Sequence, residues 1–295
     1  MIKMFNKFIQ SLIDQISNSY EHKFNKIENI MKQQKEVFVN NIAENQFVIE
    51  AFLYAGEPID DIRIKTTYDL SSEEDVSVPI NNAIVTLIKN GERYNLISSG
   101  DDGFYNYPGN DVTVETYDIF QLEVSYNGIS AMAETIVPTP TNGLSISEDS
   151  LFVPILPITA GMDSIVNTIR NFLTNSVINA TWDNPNEDLY FMVVESVSDT
   201  LDPIFPTQVI DVLARFRFVS EPTDGTSISF IAGTLESFGT YSVKVYHINQ
   251  EYADLYENRE QDSRDLNEPP SNITNALGVF SAFNSQEVFF EVARE

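Results

Sequence analysis

Serine-type hydrolysis needs a nucleophile, a base and a group that orients the base. The chain has two histidines, His22 and His247, and only His247 lies in a strand-like segment. A Ser–His–Asp site would have to use it, yet no Gly-x-Ser-x-Gly elbow occurs to present the serine. His247 therefore reads as a surface histidine at the end of a strand. Two histidines so far apart cannot make the usual His-rich zinc site. The absence of cysteine removes disulfides, thiolate nucleophiles, Cys-ligated zinc and iron–sulfur clusters together. Neither a Gly-x-x-x-x-Gly-Lys-Ser/Thr loop nor a Gly-x-Gly-x-x-Gly turn is present, so nucleotide binding has no support.

The 44 Asp and Glu residues leave room for glycosidase chemistry, whose paired carboxyls stand roughly 5–9.5 Å apart, but no local signature selects a pair. Calcium is the better acidic reading. Asp101-Asp102-Gly103, Ser72-Glu73-Glu74-Asp75 and Asp183-Asn184-Pro185-Asn186-Glu187-Asp188 are oxygen-rich turns. None has the Asp-x-Asp-x-Asp-Gly register, and a solvated loop is the expectation for each, with calcium as the lesser alternative. No catalytic, cofactor-binding or metal-ligating residue is assigned from the sequence.

The elements that could position a site follow from pattern. The net charge of -27 disfavours a nucleic-acid partner, because phosphate binding needs clustered Lys and Arg. The charge is also uneven. Residues 1–40 hold six lysines against four carboxylates, a balance of +2, so residues 41–295 carry -29. Within 2–36, Ile2, Phe5, Phe8, Ile9, Leu12, Ile13, Ile16, Tyr20, Phe24, Ile27, Ile30 and Met31 recur at steps of three and four, the period of an amphipathic helix. Asp14, Gln10 and Gln15 break any signal-peptide h-region, and the segment is too polar to span a membrane. Such a helix is expected to pack on the protein or a second copy, with interfacial membrane binding as the alternative.

From Phe47 onward the texture is short alternating runs between turns. Asn90-Gly91 and Asn127-Gly128 are hairpin signals, and about seven strands precede Pro138. Pro138-Thr139-Pro140-Thr141-Asn142-Gly143 marks a boundary, since two prolines block helix and ladder alike. Further strands follow, around Trp182, over 189–195, 214–218 and 227–230, and at Gly239–Tyr246. Ser164–Leu173 is a candidate helix and Gln250–Gln261 a short surface helix, and Asp262–Pro270 reads as a loop. The expected fold is mainly β. An N-terminal amphipathic helix (1–40) precedes two antiparallel β-sandwich domains, immunoglobulin- or fibronectin III-like, over 41–140 and 141–295. Trp182 reads as core rather than as a stacking platform.

Four segments resemble the DUF4249 family. They are Phe47-Val48-Ile49-Glu50-Ala51-Phe52-Leu53; Asn82-Ala83-Ile84-Val85-Thr86-Leu87 with Gly103-Phe104-Tyr105; Tyr117–Pro138; and, most specifically, Ser271-Asn272-Ile273-Thr274-Asn275-Ala276-Leu277-Gly278-Val279-Phe280-Ser281-Ala282-Phe283. The resemblance covers about residues 36–295. It implies Bacteroidota envelope lipoproteins, often encoded beside TonB-dependent outer-membrane transporters, with no established catalytic residues. The expectation is a non-enzymatic cell-envelope binding or accessory protein, outer membrane-associated, periplasmic or surface-exposed, whose partner is a protein such as that transporter. An adhesin-like structural module and a carboxylate-based hydrolase are the rivals. The family's signal peptide and lipobox cysteine have no counterpart in residues 1–35. The closing motif is expected to be structural: Asn272 fixing a turn, Gly278 at a close backbone approach, and residues 272–292 a hairpin that closes the second sandwich around Phe280.

Overall fold

The computed structural model describes residues 47–67, 77–100, 102–154, 162–198, 200, 202–204, 217–231, 235, 237–257 and 271–295. The helix read over 2–36, the turn Ser72-Glu73-Glu74-Asp75 and the loop Asp262–Pro270 lie outside them. Residues 48–65 and 79–295 belong to one compact unit, and its elements are nearly all strands.

The first half contributes β1 (Phe47–Tyr54), β2 (Asp61–Thr66), β3 (Ile84–Lys89), β4 (Glu92–Ser98), β5 (Phe104–Asn106), β6 (Ile119–Tyr126) and β7 (Ile129–Ile136). Both Asn-Gly signals form two-residue hairpin turns. Asn90 and Gly91 (φ 54° and 83°) join β3 to β4, and Asn127 and Gly128 (φ 48° and 82°) join β6 to β7, the left-handed pair that a type I′ turn requires. Alternation sets the faces: Phe120, Leu122 and Val124 of β6 are buried while Ile119 and Gln121 are exposed.

The second half contributes β8 (Asn142–Ile146), β9 (Ser150–Val153), β10 (Val177–Asp183), β11 (Leu189–Ser196), β12 (Asp202–Pro203), β13 (Arg217–Val219), β14 (Ser227–Ile231), β15 (Ser237–Ile248) and β16 (Leu277–Arg294). The candidate helix becomes α1 (Met162–Asn175), and the short surface helix becomes α2 (Gln250–Glu257). A three-stranded sheet, β14-β10-β8, covers one face of the β13-β11-β15-β16 run. Their shared core holds Trp182, Tyr190, Met192, Val194, Tyr241, Val243, Val245, Phe230 and Phe290. That is a sandwich of two inward-facing apolar sets, and Trp182 is 3% exposed within it.

The main sheet runs β13-β11-β15-β16-β1-β2-β5-β4-β3-β6-β7, so one strand carries both halves. β16 pairs parallel with β1 from Val48↔Leu277 to Tyr54↔Phe283. It then pairs antiparallel with β15 from His247↔Asn284 to Gly239↔Val292. The expected 272–292 hairpin is therefore wrong. No turn residue interrupts 277–294, and an extended chain of 18 residues, about 60 Å long at ~3.3 Å per residue, has length enough to serve both halves of the main sheet in succession. Phe280 is fully buried, but opposite Ala51 of β1 and outside the second-half core just described. The parallel β1–β16 and β9–β16 pairings also depart from the all-antiparallel expectation. Gly278 behaves as read: its φ is +107°, and a Cβ there would stand 2.0 Å from the Ile49 carbonyl oxygen.

The Pro138–Gly143 segment between β7 and β8 is held by buried polar groups rather than left free. Asn284 Nδ2 donates to Pro138 O at 3.0 Å, Thr141 Oγ1 to Val245 O at 2.8 Å, and Asn249 Nδ2 to Ile136 O at 2.8 Å. With no N–H on either proline to join a ladder, the side chains of Asn284 on β16 and Asn249 before α2, and the β15 backbone at Val245, supply the partners instead.

Candidate functional site

β1 and β11 are apolar on both faces, which a solvent-facing sandwich strand would not be. In β11 the residues Tyr190, Met192 and Val194 enter the core described above. The opposite set, Leu189, Phe191 and Val193, looks outward from the sandwich and should be polar, yet Phe191 and Val193 are buried. Register explains the burial. Phe191 lies directly opposite Tyr246 of β15, and Tyr54 of β1 opposite Phe283 of β16, so four neighbouring strands line up their rings. Phe191 stacks on Tyr246 at 4.9 Å and 10°, and Tyr54 on Phe283 at 5.1 Å and 24°. α2 then lays Tyr252 edge-on against Phe283 at 4.8 Å and 87°, with Phe52 edge-on to Tyr252 at 5.7 Å. These centroid separations and tilts are the preferred aromatic geometries.

The cluster leaves an open concavity of about 170 Å³, lined by Phe52, Tyr54, Phe191, Tyr246, Tyr252 and Phe283 together with Val193, and by Arg217 and Val219 of β13. Arg217 is exposed and lies 3.6 Å from Glu195. Lys244 stands 5.7 Å above the Tyr246 ring and 3.2 Å from Glu57. The Tyr54 hydroxyl donates to Asp61 Oδ2 at 3.1 Å. Burial, and then the Asp61 charge, push the Tyr54 phenol far above its ordinary range. Burial also raises Tyr246. Asp61 is itself held above the usual carboxylate value by burial, partly offset by the Tyr54 hydrogen bond. Both phenols are thus protonated at neutral pH. The lining of the concavity offers aromatic and aliphatic contact together with tyrosine hydroxyls and the Arg217 guanidinium. Small-molecule and cofactor sites enclose roughly 300–1,000 Å³, so this one has room for a single large side chain.

The structure corrects the reading of His247, which is 8% exposed rather than at the surface. Its ring stacks on Tyr190 at 4.8 Å. Nδ1 lies 2.7 Å from the Thr139 carbonyl oxygen and 3.1 Å from Thr139 Oγ1, and Nε2 lies 3.9 Å from Asp188 Oδ2. Hydroxyl, imidazole and carboxylate thus stand in the order of a catalytic triad. The chemistry differs, because a carbonyl 2.7 Å away only accepts, so Nδ1 carries the hydrogen and cannot take the Thr139 proton. His247 clamps the proline segment instead.

Of the acidic turns, Asp101 lies outside the described residues, and Asp102 O accepts from Arg63 Nε at 3.0 Å. In the 183–188 turn the Asn184 amide organises the loop: Oδ1 accepts from Asp188 N at 2.9 Å, while Nδ2 donates to Asp188 O and Asp224 O, both at 2.8 Å. Among the described residues, no three His, Asp or Glu side chains converge as a metal site would require, and no helix is long and apolar enough to cross a membrane. Trp182 Nε1 is buried without a hydrogen-bond partner.

Sequence reading missed the concavity, because each of its rings looks like ordinary strand core when taken alone. The one available signal was the double-sided apolar character of Phe47–Tyr54 and Leu189–Val194, which calls for a second covering layer. α2, through Tyr252 and Ala253, is that layer.

Two solved structures show how far the likeness extends. The crystal structure of chicken CNTN1 FN1-FN3 domains matches at 12% identity and a TM-score of 0.25, covering 82% of this chain and 66% of that one, just under two thirds of its length. The CD2-binding domain of CD58 (lymphocyte function-associated antigen 3) matches at 8% identity and a TM-score of 0.19, covering 81% of this chain and 94% of that one. No curated protein sequence matches the chain. The family model described as "Domain of unknown function (DUF4249)" matches residues 34–288, a span holding the aromatic concavity, the His247 clamp and most of the shared strand β16, and the chain belongs to that family.

Proposed function

We propose that the protein is a non-enzymatic binding module of the cell envelope that holds a protein partner by one anchor side chain seated in the aromatic concavity. The observation that carries this reading is a ring-lined hollow of about 170 Å³, of a size to take one anchor side chain. Val219, 39% exposed, and Arg217 of β13 belong to its lining. Interface energy concentrates where an aromatic or aliphatic anchor fills a desolvated pocket. A sheet face then presents the rings. The partner implied by the family's setting is an outer-membrane TonB-dependent transporter, and the reading takes that as its first candidate.

The test is quantitative capture of outer-membrane barrels from native membranes by the full chain and by its Val219→Asp variant. A carboxylate in the lining should remove one anchor's contribution, about 2 kcal/mol, or roughly 30-fold in affinity, with the melting temperature unchanged. Equal capture by both proteins rejects the concavity as the binding site.

A further inference from the structure

β7 ends the main sheet, and an end strand offers a row of backbone groups to any other strand. In an antiparallel ladder alternate residues point both N–H and C=O away from the paired neighbour. The outward residues of β7 are Ser130, Met132, Glu134 and Ile136, and each of their carbonyls is taken. Asn275 Nδ2 donates to Ser130 O at 3.0 Å. Thr274 N donates to Met132 O at 2.8 Å, and Met132 N to Thr274 O at 3.2 Å. Asn272 Nδ2 reaches Glu134 O at 3.5 Å, and Asn249 Nδ2 donates to Ile136 O at 2.8 Å. Three of these four caps come from residues 272–275. Asn272 is tied down in turn, because its Oδ1 accepts from Phe280 N at 3.0 Å and its Nδ2 donates to Phe280 O at 2.7 Å. Ile273 and Ala276 are buried. Asn275 adopts φ 64°, a conformation Asn tolerates, and this turns its amide towards Ser130.

We propose that residues 272–276 are an edge guard, and that what they exclude is a second copy of this chain pairing through its own β7. Three observations favour a second copy. The outward groups recur every two residues, the repeat of an antiparallel ladder. Two identical edges satisfy each other across a two-fold axis. On the sheet face beside that edge Met132 and Ile136 are 51% and 48% exposed, and Ile136 is paired with the equally exposed Ile119, so pairing would also extend an apolar surface. One strap residue with its own N–H and C=O, Thr274, occupies the middle of the edge, where no second strand can then enter. The guard shares no residue with the lining of the aromatic concavity and does not depend on its function.

The test compares three full-length chains by sedimentation equilibrium at 0.15 M and 1 M salt, where the Debye length falls from ~8 Å to ~3 Å and the repulsion from a net charge of -27 weakens. Thr274→Pro with Asn275→Gly removes the central N–H and one amide while keeping a residue that accepts φ 64°. This variant should self-associate at least tenfold more tightly than the wild type, more so at high salt. Adding Ser130→Pro, which removes an outward N–H without taking an N–H from the β6–β7 ladder and gives up only the exposed Ser125–Ser130 hydroxyl contact, should restore the wild-type distribution. An unchanged association constant in the first variant overturns the proposal, as does association that survives Ser130→Pro. Should the variants fail to fold, hydrogen exchange in the wild-type chain decides. The Met132 and Thr274 amides should be protected and open together below the global unfolding free energy, and exchange at loop rates overturns the proposal.

Discussion

Gly278→Ala perturbs the junction on which both halves depend. The residue sits at φ +107° with Ile49 as its partner on β1, and an added methyl would meet Ile49 O at 2.0 Å and Ile49 C at 2.9 Å. Two costs arise. The conformation is one that side-chain-bearing residues rarely adopt, worth about 1–3 kcal/mol. The contact is with backbone, which cannot swing aside, so β16 must move from β1. Losing about two ladder hydrogen bonds at ~1 kcal/mol each brings the total to about 3–5 kcal/mol. For a chain of this size that is roughly 6–20 °C in Tm, at ~2–4 °C per kcal/mol. Gly128→Ala is the control, with φ +82° and nothing within 4 Å, so it carries the conformational cost alone. Urea unfolding followed by far-UV circular dichroism and by Trp182 fluorescence gives both values. The reasoning is refuted if Gly278→Ala costs no more than Gly128→Ala, because the close approach to Ile49 would then contribute nothing.

Phe280→Ala removes a fully buried ring opposite Ala51 and should cost about 3–5 kcal/mol in the same unfolding experiment; full stability with lost partner capture would make Phe280 an interface residue instead. The hydrogen bond from Tyr107 to Asp111 Oδ1, 2.6 Å long, raises that phenol to about 12. Its share of the fold's stability is therefore present below the ordinary tyrosine value and lost as pH rises through about 12, and ultraviolet titration of Asp111→Asn should bring the phenol back towards 10.

Local chemistry was legible without the fold. Both Asn-Gly turns, the alternation of β6 and β7, the burial of Trp182 and the special backbone at Gly278 follow from φ preferences and a period of two, which act over a few residues. The same holds for exclusion, since a chain without cysteine has no disulfide, thiolate nucleophile or Cys-ligated metal whatever its topology. Long-range pairing decided the rest. That β16 is one strand joining two halves of the main sheet, rather than a hairpin, depends on β1 and β15, some 230 and 40 residues away, and no local signal encodes such partners. His247 looked like a surface residue because nothing near it in sequence shows that Thr139 returns to cover it. The concavity exists only because register sets Phe191 against Tyr246 and Tyr54 against Phe283. Side-chain type and spacing determine what each segment can be; which rings meet, and which edge is covered, is fixed by contacts whose free energy appears only once distant strands have paired.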